Sequence, residues 1–123
     1  MSINELDFLY ISSWNYEHME RYLMGWIKRY GLRGAMKLAM QFRYNLQKAL
    51  AKYSKMNPNY DGKQENALML IESIYRIMGR AYVVWARKEV VKAHPNLAKY
   101  PQKIKNLANG WWNRYVKKFG GAY

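Results

Sequence analysis

Residues 32–55 read LRGAMKLAMQFRYNLQKALAKYSK, and their apolar positions recur every three or four residues. That period is helical; the strict alternation of a half-buried strand is missing. At 100° per residue, Leu32, Ala35, Met36, Ala39, Phe42, Leu46, Ala49, Leu50 and Tyr53 fall on one face. Arg33, Lys37, Gln41, Tyr44, Lys48, Lys52 and Lys55 fall on the opposite one. One side calls for a core. The other is a basic and polar ridge about 33 Å long at a rise of 1.5 Å per residue. Arg43 stands near the apolar edge, where its stem is covered and its head is expected to reach outward.

Outward from this helix the punctuation is clear. Asn57-Pro58-Asn59-Tyr60-Asp61-Gly62 is a turn, so the helix ends near Met56 and the next begins near Lys63. That next helix is stopped after Ala93 by His94-Pro95, because the residue before a proline is pushed out of helical backbone. Pro101 suits the first position of a last helix reaching about Phe119, after which Gly120-Gly121 releases the chain. Upstream, Gly31 and Gly34 mark a point where the chain turns or merely bends; both readings stay open. A helix over residues 16–30 precedes it, after a break at Ser12-Ser13-Trp14-Asn15. Ser2 with Glu5 fits a capping box for a first helix through Ile11. The expected fold is all-α and four-helix-bundle-like, with residues 1–30 as a helical arm and 31–123 as a basic bundle.

Charge narrows the function. The 123 residues carry 21 Lys and Arg against 8 Asp and Glu, a formal +13. Residues 1–20 hold Glu5, Asp7, Glu17 and Glu20 and no base. Residues 21–60 hold nine bases and no acid, and residues 90–123 hold seven bases and no acid. A helix built for solubility mixes the signs in i,i+4 pairs. Acid-free blocks forgo that stabilisation, which points to a polyanionic partner. Duplex DNA carries one charge per ~1.7 Å of axis, so the ridge can meet several phosphates. Candidate contacts are Arg29, Arg33, Lys37, Arg43, Tyr44, Lys48, Lys52 and Lys55. Arg76, Arg80 and Arg87 share one side of the next helix and either grip phosphate or pair with Glu65, Glu72 or Glu89.

That same helix is apolar nearly all round at Leu68–Ile71 and Ala81–Ala86, as expected of a central helix or a subunit interface. Trp26, Phe42, Tyr75, Trp85, Trp111 and Tyr115 are expected in the core. Trp111 and Trp112 cannot both point inward, so one meets a subunit, a base or lipid. Tyr44 and Trp112 are the candidates for base stacking.

Nothing in the chain spells out a catalytic site. There is no cysteine, and the two histidines read as a surface residue (His18) and a helix-end residue (His94). No catalytic, cofactor-binding or metal-ligating residue is expected. No apolar run of membrane-spanning length occurs, and the acidic start lacks the basic region of a secretory signal.

Acidic segment, acid-free helix, apolar helix and Tyr/Trp-rich basic tail together resemble the major coat proteins of filamentous archaeal double-stranded DNA viruses. The resemblance rests on this layout across most of the chain. It implies a helical arm and a four-helix bundle assembled as paired subunits, homo- or hetero-oligomeric, that wrap linear duplex DNA inside a virion. It would make Arg33, Lys37, Lys48, Lys52 and Lys55 backbone contacts, with Arg76, Arg80 and Arg87 as further ones. The chain departs from the pattern in its first 20 residues, whose acids point to a protein neighbour. Two other classes fit the charge: a soluble cytoplasmic DNA-binding regulator or host-takeover factor, and a peripheral protein on anionic lipid.

Overall fold

A computed structural model describes residues 2–119. Among them the fold is all-α: α1 (Glu5–Ile11), α2 (Tyr16–Met56), α3 (Gly62–Ala93), a 3-10 turn (Pro95–Lys99) and α4 (Pro101–Phe119). The release expected at Gly120-Gly121 lies outside the described residues. The chain forms two compact units, Met1–Ile77 and Met78–Tyr123.

In the first unit α1 is capped by Asn4, whose Oδ1 accepts the Asp7 amide at 2.8 Å. The Ser2–Glu5 capping box does not form, because Glu5 is already the first helical residue and Asn is as good a cap as Ser. A seven-residue helix has little stability of its own. It is held by Phe8, 1% exposed, whose ring centre lies 5.0 Å from that of Tyr53. The α1–α2 turn is tied down by Asn66 of α3, whose amide nitrogen donates to the carbonyls of Ser12 and, at 2.8 Å, Trp14. Asn15 caps α2 through the His18 amide at 2.8 Å.

The stretch from Tyr16 to Met56 is not one straight rod. Gly31 has φ 76° and ψ 170°, a backbone region that is essentially closed to other residues. On a straight helix Trp26 and Phe42 would stand about 24 Å apart. Their ring centres are 5.7 Å apart, and those of Tyr22 and Phe42 are 5.6 Å apart. Gly31 therefore turns the chain, and residues 16–30 fold back on residues 32–56. Residues 2–30, expected as an arm, fall in the first compact unit, where Phe8, Met19 and Leu23 are buried.

The second limb of α2 buries Ala35, Met36, Ala39, Met40 and Leu46, and α3 contributes Ala67, Leu70, Ile71, Ile74 and Ile77. The intervening turn is bonded throughout. Asp61 Oδ1 accepts the Gln64 amide at 2.9 Å, and Gln64 Nε2 donates to the Asn57 carbonyl at 2.9 Å. α3 is not enclosed all round, since Leu68, Met69 and Val84 are exposed.

The second unit is a helical hairpin zipped by aromatic rings. Met78, Ala86 and Val90 of α3 bury with Ile104, Ala108 and Trp112 of α4. Trp112 lies over Gly79, where an added Cβ would stand 3.1 Å from the indole. Tyr82 and Tyr115 flank Trp112, with ring centres 5.5 and 5.9 Å from it.

Candidate nucleic-acid interface

The ridge read from the sequence exists as a surface. Arg33, Lys37, Gln41, Tyr44, Lys48, Lys52 and Lys55 are all exposed, while Ala35, Met36, Ala39 and Leu46 opposite them are buried. Burying one face forces the other outward, so the ridge follows from the core. Lys48 Nζ stands 4.6 Å from the ring centre of Tyr44, a cation–π contact that keeps the ammonium beside an exposed aromatic face. Arg29, near the end of the first limb, is exposed as well. The Tyr22 hydroxyl, pushed up from its usual 10.0 by burial, is partly drawn back by the Arg29 charge.

Among the described residues no ion pair offsets this charge. Among the described residues, none of Arg33, Lys37, Lys48, Lys52 and Lys55 has a carboxylate oxygen within 4.0 Å. Asp61 follows α2 closely, but it is turned to internal work. The Gln64 amide and the Tyr53 hydroxyl hold its carboxyl below 3.8, and the same bond, with burial, raises Tyr53 above 10.0.

Three sequence expectations need correction. Arg43 does not reach outward: it is half-buried, its Nε donates to the Ile71 carbonyl at 3.1 Å, and its guanidinium lies 5.6 Å from the Tyr75 ring centre. At 100° per residue it sits about 130° from the middle of the ridge, on the core side. Trp112 cannot stack on bases from an exposed face, because only 7% of it is exposed. Trp111 is the partly exposed member of the pair, with its ring centre 6.4 Å from Trp85. His18 is not a plain surface residue; its ring stacks on Trp14 at 4.4 Å.

Arg76 in the first unit, and Arg80 and Arg87 in the second, are exposed. Among the described residues none of the three has a carboxylate within 4.0 Å, so pairing with Glu65, Glu72 or Glu89 is not what they do here. Glu89 bonds Lys92 instead, at 3.3 Å.

Charge density identifies what residue-by-residue reading overlooked. The second unit holds ten Lys and Arg against Glu89 alone, a formal +9 of the total +13. Lys88, Lys99, Lys103, Lys105, Arg114 and Lys117 are exposed there. The signal was present in the acid-free block after residue 90. Among the described residues no helix is long and apolar enough to cross a membrane. Compared with protein-family models, curated proteins and solved structures, the chain matches none of them.

Proposed function

We propose that this chain is a non-catalytic nucleic-acid-packaging protein that coats double-stranded DNA through sequence-independent phosphate contacts. The observation that carries the reading is the ridge of α2: exposed, about 33 Å long by its helical rise, of one sign and, among the described residues, with no ion pair to its five cations. A long single-sign surface suits a regularly spaced polyanion and carries little that would read base edges. Lys and Arg that neutralise phosphates release counterions, and each phosphate contributes about −0.9 to the slope of log affinity against log salt. Five ridge cations would therefore give a slope of roughly −4 to −5. Exposed Leu68, Met69 and Val84 leave apolar surface for neighbouring subunits, as a coat assembly in a virion requires.

The test is a titration onto random-sequence duplexes, one short and one long, at several salt concentrations. Packaging expects steep salt dependence and cooperative binding on the long duplex. Salt-sensitive binding without cooperativity would turn the assignment to a soluble regulator. No binding at low salt would remove duplex DNA, and anionic vesicles would then test the peripheral-membrane reading.

A further inference from the structure

The ridge of α2 and the basic surface of the second unit belong to two separately packed units. The first unit holds eleven Lys and Arg with seven acids, a formal +4, and carries most of its exposed cations on α2. The second has +9 in far fewer residues and its own core of Met78, Ala86, Val90, Ile104, Ala108 and Trp112. There, Arg87, Lys88 and Val91 of α3 and the start of α4 line an open cleft of about 590 Å³. Arg87, Lys88 and Lys105 bring three positive charges to it, over Val91, Pro101 and Ile104. All three cations are exposed, and Glu89, the unit's only acid, is already bonded to Lys92.

A cleft with three cations and no acid, backed by apolar side chains, suits a sugar–phosphate strand. Phosphates meet the charges while sugar edges lie on the apolar residues.

We propose that the second unit is an independent phosphate-binding site, so that one chain holds two separate stretches of duplex and bridges them. This rests on the DNA-binding reading above. It goes beyond coating, in which each subunit serves one stretch.

The experiment is capture of a labelled short duplex by a bead-bound duplex, with the full chain added. A parallel titration measures binding to a single duplex. One variant carries Arg87→Gln, Lys88→Gln and Lys105→Gln; another carries Lys37→Gln, Lys48→Gln and Lys52→Gln. Glutamine is as helix-tolerant as Lys and Arg, and every site is exposed, so both variants should fold. Wild type is expected to capture. Each variant should still bind one duplex through the surface left unchanged, and should lose capture at least about tenfold. A variant with Arg87→Lys, Lys88→Arg and Lys105→Arg should retain it. Undiminished capture by either glutamine variant would overturn the inference, since capture would then come from self-association. Loss of all duplex binding on changing the second unit would overturn it too, by making the two surfaces one site. Wild type that binds one duplex and captures none also overturns it, leaving the DNA reading intact. Wild type that binds no duplex overturns both.

Discussion

The Tyr53 hydroxyl donates to Asp61 Oδ2 at 2.7 Å, joining the last turn of α2 to the residue that caps α3. Through this bond the connection between two helices becomes sensitive to pH at both extremes. Folding lowers the Asp61 pKa, chiefly through the Gln64 amide and then the Tyr53 hydroxyl. A lowered carboxyl pKa contributes stability above 3.8, and that contribution fades as pH falls through the lower folded value. Tyr53 behaves oppositely: its raised pKa contributes below 10.0 and is lost as pH rises through the folded value. Urea unfolding followed against pH should show the acid loss in wild type and a flatter acid limb in Asp61→Asn. An unchanged acid limb in the variant would dissociate Asp61 from acid stability.

Gly31→Ala should destabilise the protein by roughly 1–3 kcal/mol, the usual cost of holding a side chain in such a backbone region. Were residues 16–56 a continuous helix, the same change would stabilise by about 0.5–1 kcal/mol. The two outcomes differ in sign, so a denaturation midpoint decides between a hairpin and a rod.

At Gly79 two effects compete. Alanine gains about 0.5–1 kcal/mol in a helix interior, whereas overpacking a filled site costs about 1–3 kcal/mol. A Cβ there would stand 3.1–3.2 Å from three indole atoms of Trp112. Trp112 has little room to withdraw, being buried and flanked by Tyr82 and Tyr115. Gly79→Ala is therefore expected to lower thermal stability and shift the tryptophan emission. A raised melting temperature would mean the indole yields.

Replacing Lys37, Lys48 and Lys52 with Gln should weaken binding about equally for all duplex sequences and reduce the salt slope by about 3. Arg43→Gln should act differently. It removes the bond to the Ile71 carbonyl and the contact with Tyr75, so its main effect is lost stability, with affinity little changed per folded molecule. Binding and unfolding measured on the same samples separate the two. A salt slope that falls with Arg43→Gln as it does for a ridge lysine would return Arg43 to the interface.

Helix ends were legible because their causes are local. Met56 ends α2 before an Asn-Pro turn, Ala93 ends α3 before His94-Pro95, and Pro101 opens α4, all where the sequence predicts. The inward and outward faces of residues 32–55 were legible too, since a 3.6-residue period leaves one solution once a core must form. At Gly31 the chain was not legible. Glycine permits a turn and a bend alike, and the choice is made by Trp26 and Tyr22 meeting Phe42, residues far apart along the chain. Nor could spacing say which of Trp111 and Trp112 goes inside; the gap left by Gly79 on another helix decides it. Arg43 was misjudged for the same reason, because its acceptor is a carbonyl 28 residues away. Sequence by itself determined the long helices, the ends set by the turn after Met56, by His94-Pro95 and by Pro101, the buried stripe and the sign of the exposed face, all properties of neighbours within a few turns. Only the tertiary structure decided where the chain reverses, which cation is drawn inside and which indole is buried, because each depends on surfaces that meet only after the chain has folded.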